Sequence, residues 1–383
     1  MRIVILHASA GHGHQKTAEA VREGLLACGV RETDILLKDA LDETPRWFKS
    51  FYTSLYYYSV KHTPRLWGAS YHFADNPFVY RSVVRHCRRF INGLVAKRLE
   101  EFLLRERPDV VICTHFLSPE VVGQLKLKGR LQSFLVSVVT DFAPHTFWVN
   151  PGTDHYWVMS EEGKEELVRR GVASDRITAG GIPVALRFRP QGKGREFRKK
   201  EGLDLQRFTI LLTSGSFGLG PAGEVLQALA EFPQSLQVIV VCGKNQEQYD
   251  LLRKSQFPFP VKVSGFVSNM DELMEASDLI VAKPGGATTA ESLAKGIPMV
   301  VLEPIPGQET GNAHLLRGRN AAFFLGKPED IRTIMKGILD YPQVMEEKRR
   351  SIQSLAKPEA ASDLARFVLS RITSRHATQE GKV

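Results

Sequence analysis

The stretch from Asp278 to Asn312 restricts the fold more than any other part of the chain. Asp278-Leu-Ile-Val-Ala282 has the length and β-branched content of a buried strand, and Gly285-Gly286 lets the backbone turn sharply into a helix expected to begin near Thr288. Gly296-Ile-Pro298 ends that helix, and Met299-Val-Val-Leu302 supplies a second apolar strand. Strands that alternate with helices in this way lie parallel in a sheet covered on both faces. The segment also carries ligand chemistry. A helix N-terminus offers unpaired N–H groups and about half a positive charge, which suits a diphosphate at Gly285, Gly286, Ala287 and Thr288. Glu291, expected in the first helical turn, presents a carboxylate able to accept from both hydroxyls of a diol such as a ribose. Gln308, Glu309 and Asn312 sit on the loop after the second strand, and amides and carboxylates grouped on a loop are what a hexose requires. Each feature has an ordinary explanation as well. Gly-Gly follows many strands in α/β domains, and the helix dipole favours a first-turn Glu with no ligand present.

It is the joint order that points further: strand, Gly-Gly-x-Thr, Glu291, Gly-x-Pro, strand, then Gln308-Glu309 and Asn312. This order resembles the donor-site signature of GT-B glycosyltransferases of family 28. The run Ile305-Pro-Gly-Gln-Glu309 resembles the lipid branch, the diacylglycerol β-glucosyltransferases, some of them processive, and the monogalactosyldiacylglycerol synthases. The resemblance implies two Rossmann-like, doubly wound parallel-sheet domains facing across a cleft, with UDP-glucose or UDP-galactose as co-substrate and diacylglycerol as acceptor. It also implies inversion at the anomeric carbon and no metal or other cofactor; no Asp-x-Asp motif occurs in the chain.

A length of 383 residues with 43% apolar content supports two or three domains with real cores. Strands are expected at 2–8, 34–38, 109–115, 133–140 and 155–159 in the first half. In the second half they are expected at 208–213, 237–242, 261–266, 278–282, 298–302 and 321–325. The division reads as an acceptor domain over 1–185, a linker over 186–207, a donor domain over 208–360, and a C-terminal helix and tail over 361–383. Cys28, Cys87, Cys113 and Cys242 are scattered without a C-x-x-C pair, which supports neither a disulfide framework nor a zinc site and favours a reducing compartment. No apolar window reaches the length of a membrane span.

The first βα turn, Ala8-Ser-Ala-Gly-His-Gly-His14, lacks the G-x-G-x-x-G of a dinucleotide loop. The family resemblance places the catalytic base at His14 and lays Gly11, His12 and Gly13 along the acceptor; His12 is an extra histidine that leaves the choice of base open. A neutral imidazole takes a proton from an attacking hydroxyl, an effect typically worth 10² to 10⁴ in rate. A histidine donating to a loop carbonyl is the alternative. Asp141, at the C-terminal end of strand 133–140, is a second catalytic candidate that would orient the base or bind the acceptor hydroxyl, or else cap the next turn. The pattern Thr-Asp…His-x-x-Trp again resembles the family and puts His145 and Trp148 beside the acceptor. On the donor side, Gly215, Ser216, Phe217 and Gly218 form a glycine-rich loop after strand 208–213 suited to phosphate. The resemblance assigns Phe266 and Val267 to the uracil.

Charge is uneven. Of a net +9, residues 46–90 hold eight Lys/Arg against the single acid Asp75, together with thirteen aromatics. Basic and aromatic side chains intermixed suit an anionic bilayer surface, and Trp67, Arg81, Arg85, Arg88 and Arg89 are the expected contacts. The mixture also suits single-stranded nucleic acid or plain core packing. No nucleic-acid motif accompanies it, so no nucleic-acid partner is expected. These features place the chain in the cytoplasm, peripheral on the inner face of the plasma membrane. Rival readings are an N-acetylglucosamine transferase acting on an undecaprenyl-linked peptidoglycan precursor, a UDP-N-acetylglucosamine epimerase and a non-catalytic UDP-sugar sensor.

Overall fold

The computed structural model describes residues 1–380 apart from Ala10, Ser214, Ser216, Phe217 and Leu219, with side chains through Thr373. The chain divides into two compact units. The first comprises Met1–Leu186, Pro306–Gln308 and Glu359–Val383; the second comprises Arg187–Ile305 and Glu309–Pro358.

In the first unit six strands, β1 (Ile3–His7), β2 (Ile35–Asp39), β3 (Val110–Cys113), β4 (Phe134–Val138), β5 (His155–Val158) and β6 (Ile177–Ala179), form a parallel sheet in the order β2-β1-β3-β4-β5-β6. The period-2 geometry of a strand divides β1 between two cores. Ile3 and Ile5 pack with Val21 and Leu25 of α1 (His12–Ala27) and with Leu364 and Val368 of the C-terminal helix Ala360–Glu380. Val4 and Leu6 face the other way, onto Leu99, Phe102 and Leu103. Both faces are covered, which is why the strand reads as continuously apolar instead of alternating. Each such side chain contributes roughly 1.5 to 3 kcal/mol on burial. α1 meets the C-terminal helix closely enough that a Cβ at Gly24 would lie 2.4 Å from the Ala361 carbonyl oxygen. Between β2 and β3 an insertion forms α2 (Arg46–His62), α3 (Pro64–Asp75), a π-helical turn at Tyr80–Val84 and α4 (Arg85–Val95).

The second unit holds β7 (Phe208–Thr213), β8 (Leu236–Val241), β9 (Val261–Ser264), β10 (Leu279–Ala282), β11 (Met299–Val301) and β12 (Ala322–Phe324), parallel and ordered β12-β11-β10-β7-β8-β9. That is the doubly wound dinucleotide-domain order, with its reversal between β7 and β10. Of the linker expected over 186–207, residues 187–207 belong to this unit. They form a helix at Gly194–Lys200 with Phe197 buried and Arg198 paired to Asp278.

The expected strands all form, and β6 is an addition. Its three residues, Ile-Thr-Ala, are too few to print an alternation.

Candidate active site

In an open α/β sheet ligands bind where the strand order reverses, beyond the C-terminal ends of the strands. In the first unit that point lies between β1 and β3. β1 ends at His7, the chain passes Gly11 at φ 149°, and α1 begins at His12, so His14 stands in the first helical turn. His14 is 8% exposed. Its Nδ1 lies 2.9 Å from the Thr114 carbonyl oxygen and 3.0 Å from Thr140 Oγ1, while Thr114 Oγ1 donates back to the His14 carbonyl at 2.8 Å. A carbonyl only accepts, so Nδ1 carries the proton and Nε2 presents a lone pair. Burial lowers the imidazole to about 4, partly offset by the bond to Thr114. The ring is therefore neutral at pH 7 and holds the tautomer of a base. His115 meets it edge-on at 4.6 Å between centroids, and Tyr52 of α2 lies beyond, 6.5 Å from His115.

The other predicted acceptor residues sit deeper than expected. Asp141, buried, accepts from Trp148 Nε1 at 2.9 Å, and burial raises its carboxyl to about 6. The orienting role expected of it falls instead to Thr114 and Thr140, which make the contacts to His14 Nδ1. Trp148 is 0% exposed, which corrects its assignment to the acceptor: it is a core side chain that holds Asp141. His145 is also buried. It accepts at Nδ1 from Phe147 N–H and donates from Nε2 to the Tyr71 carbonyl at 3.0 Å, pinning α3 beside the Asp75–Arg170 ion pair. Burial lowers its imidazole to about 4. Gly11, His12 and Gly13 are half-exposed.

In the second unit the two loops at the reversal follow β7 and β10. Ser216 and Phe217 lie outside the described residues. Gly215 and Gly218 both have left-handed backbones, φ 70° and 62°, and Gly218 donates to the Gly215 carbonyl at 3.1 Å. A Cβ at Gly218 would lie 2.2 Å from the Cys242 carbonyl oxygen, and Asn245 Nδ2 donates to the Gly218 carbonyl at 3.0 Å. Gly218 is thus held on β8's end, and only glycine fits there.

After β10, α5 (Gly286–Lys295) begins at Gly286 with Gly285 as N-cap, earlier than expected. Gly286, Ala287 and Thr288 are half-exposed in its first turn, with N–H groups that no preceding helical carbonyl can reach. Glu291 consequently lies in the second turn, not the first, and is half-exposed. Glu309 Oε2 accepts from Ile305 N–H at 2.8 Å, and burial raises the carboxyl to about 7 against the pull of Lys283. Asn312 is 2% exposed and donates to the Pro284 carbonyl at 2.7 Å, so it braces the glycine turn; the expected sugar contact is corrected to a supporting one. Gln308, grouped with the first unit, accepts from Tyr56 Oη at 3.2 Å. Phe266 is exposed and Val267 half-exposed just past β9. Among the described residues no group of three or more His, Cys, Asp or Glu is placed to hold a metal ion.

Comparison with known proteins bears on both units. The monogalactosyldiacylglycerol (MGDG) synthase family model matches residues 14–184, and the glycosyltransferase family 28 C-terminal domain model matches residues 209–363. The chain belongs to glycosyltransferase family 28. Monogalactosyldiacylglycerol synthase 2 of Arabidopsis thaliana is 28% identical to this family 28 chain over 378 residues, covering 96% of it and 80% of the relative. A processive diacylglycerol beta-glucosyltransferase of Bacillus cereus is 27% identical over 372 residues, covering 96% and 93%. Among solved structures, Acinetobacter baumannii MurG aligns with a TM-score of 0.58 at 14% identity over 96% of this chain and 99% of its own. HepE of Anabaena in complex with UDP-glucose aligns at 0.57 and 13% identity over 97% and 100%. These structural likenesses establish the GT-B fold of the family 28 chain.

The insertion of this family 28 protein differs from the sequence reading in detail. Arg88 pairs with Glu120 at 3.0 Å, lies over the rings of Phe116 and Phe147, and donates to the Phe116 carbonyl at 3.1 Å. It is an internal tie, which corrects its placement on a membrane-facing surface. Trp67 likewise packs edge-on to Tyr56 at 5.6 Å and is half-buried. Arg81 is exposed; Arg85 and Arg89 are half-buried. What the sequence reading missed is apolar. Eleven of the seventeen exposed large apolar side chains among the described residues lie between Trp47 and Leu94, including Trp47, Phe51, Leu55 and Tyr58 along one face of α2. Their spacing of 4, 4 and 3 was legible beforehand, but a helical stripe reads equally as core until the fold shows which side is covered.

Proposed function

We propose that this chain transfers a hexose, glucose or galactose, from its UDP-sugar to the hydroxyl of 1,2-diacylglycerol with inversion, and that it extends the glycolipid product. The observation that carries the reading is His14, a neutral imidazole with Nδ1 committed to the Thr114 carbonyl, at the strand reversal of the unit that resembles monogalactosyldiacylglycerol synthase. In the proposed reaction Nε2 takes the proton of the acceptor hydroxyl as its oxygen attacks the anomeric carbon. The bond from that carbon to the diphosphate oxygen breaks, and its electron pair leaves with UDP. We assign the N–H group of Gly215 and those of the first turn of α5 to the developing charge, where their hydrogen bonds strengthen in the transition state. Glu291 takes the ribose, Glu309 and Gln308 the hexose, Phe266 and Val267 the uracil. This scheme uses no metal.

The acceptor lives in a bilayer. We place the exposed apolar and basic residues of the insertion against the anionic inner face of the plasma membrane, with the catalytic units in the cytoplasm. The contact proposed is peripheral; no helix among the described residues is long and apolar enough to cross a membrane. Incubation with diacylglycerol in anionic liposomes and a panel of labelled UDP-sugars, followed by product separation, tests the reading. A labelled mono- or dihexosyl diacylglycerol is the expected product and identifies the sugar. Transfer of N-acetylglucosamine to an undecaprenyl-linked acceptor alone would overturn the reading.

A further inference from the structure

The insertion is tied to the catalytic turn by one carboxylate. Asp39, the last residue of β2, pairs in register with His7, the last of β1. One oxygen of Asp39 accepts from the N–H groups of Ser9, at 3.2 Å, and Leu41, at 3.0 Å; the other accepts from Lys49 Nζ at 3.0 Å. Ser9 opens the glycine turn that delivers His14, and Lys49 belongs to the first turn of α2. Asp39 therefore bonds the backbone of the catalytic turn on one side and the helix carrying Trp47, Phe51, Leu55 and Tyr58 on the other.

We propose that Asp39 and Lys49 are positioning residues that couple α2 to the turn bearing His14. Three features support this assignment. The Asp39 carboxylate side chain is only 9% exposed, although it sits at the end of an edge strand. Lys49 is 35% exposed, and ion pairs of half-exposed lysines contribute little to stability, so folding alone gives weak reason for the contact. A second connection runs in parallel through rings, Phe48 to Tyr52 at 5.9 Å, Tyr52 to His115 at 6.5 Å and His115 to His14 at 4.6 Å, so α2 reaches the base from two directions. Asp42 also meets Lys49, and Glu19 of α1 and His7 are the other titratable groups near the cluster. A helix that docks on lipid and a turn that holds the base are thereby kept in one register. A displacement of an ångström in a catalytic group is enough to cost about 10² in rate.

The coupling rests on the proposed lipid glycosylation, and the test keeps the two apart. Wild type, Lys49→Met, Lys49→Arg and Asp39→Asn full-length proteins are assayed with UDP-glucose and UDP-galactose against diacylglycerol in anionic vesicles. UDP affinity, vesicle co-sedimentation and hydrogen exchange of the peptide covering 8–14 are measured alongside. Lys49→Met and Asp39→Asn are expected to lower kcat about tenfold with UDP affinity and vesicle binding unchanged. Exchange at Ser9 should quicken, and Lys49→Arg should restore most of the rate. A kcat for Lys49→Met within twofold of wild type, or exchange over 8–14 unchanged, overturns the coupling. If wild type glycosylates neither acceptor nor glycolipid, the lipid reading fails on its own, and the exchange data still decide whether Lys49 holds the turn.

Discussion

At His14 a single hydrogen bond decides the chemistry. With Nδ1 held by the Thr114 carbonyl and the ring lowered to about 4 by burial, Nε2 stays unprotonated far below the usual histidine range. His14→Ala should lower turnover by about 10² or more and leave UDP binding nearly intact, while His12→Ala should do much less. NMR titration should find the His14 ring neutral down to about pH 5, well under the ordinary 6.5; a midpoint near 6.5 would mean a solvated ring without the Thr114 bond. Asp141 shows the opposite displacement, raised to about 6 by burial. Between about pH 4 and 6 the folded chain retains a proton that the unfolded chain has released, so this group's contribution to stability falls as pH rises through that window and is flat above it. Asp141→Asn keeps an acceptor for Trp148 and removes the titration. Urea unfolding should therefore show the variant gaining on wild type from pH 4 to 6, by at most about 3 kcal/mol at 1.36 kcal/mol per unit. A difference that does not vary with pH would place Asp141 in a wetter site than the structure gives it. The sequence exposed His14 through its glycine-rich turn. It did not expose Thr114 or Thr140 as partners, because their roles depend on β3 and β4 lying next in the sheet, and no local pattern states a strand order.

Elements were more legible than their junctions. The buried strands announced themselves as β-branched runs such as Ile3-Val-Ile-Leu6 and Leu236-Gln-Val-Ile-Val-Val241, whereas α5 starts before the expected Thr288 because Gly285, not a polar side chain, caps it. The shift carries Glu291 into the second turn. Its proposed grip on the ribose is tested by Glu291→Ala, which should cost about 1.5 to 3 kcal/mol of UDP binding, as loss of a charged hydrogen bond does; unchanged calorimetric affinity in a folded variant would remove Glu291 from the site. Helix packing gives a sharper test in the first unit. Gly24 of α1 lies against the Ala361 backbone, and an added Cβ at 2.4 Å from a carbonyl oxygen cannot be absorbed by a flexible side chain. Gly24→Ala should destabilise the fold by about 1 to 3 kcal/mol through overpacking, more than offsetting the better helix propensity of alanine. Thermal unfolding measures it, and a Tm equal to or above wild type would show that the C-terminal helix yields at that contact.

For the molecule as a whole, charge and apolar exposure fall in the same place. The net charge of +9 is concentrated in the first half and the 186–207 segment, and the insertion that holds eight Lys/Arg against one acid also holds most of the exposed large apolar side chains among the described residues. The sequence displayed the basic residues plainly but not that Arg88 turns inward to Glu120, since an arginine's direction depends on what packs beneath its helix. The proposed membrane contact therefore has two separable parts. Arg81, Arg85 and Arg89 attract an anionic surface, each by about 1 kcal/mol near it, and salt screens that attraction. Trp47, Phe51 and Leu55 of α2 enter the headgroup layer, and their contribution does not depend on lipid charge. Vesicle co-sedimentation of wild type should rise with anionic lipid and fall with salt. Replacing the three arginines by glutamine should abolish most of that salt dependence while leaving weak binding to neutral vesicles. Replacing Trp47, Phe51 and Leu55 by serine should weaken binding to neutral and anionic vesicles alike, and should reduce activity on liposomes more than on detergent-dispersed acceptor. Equal binding by wild type and the serine variant on both vesicle types would show that the α2 face meets something other than lipid.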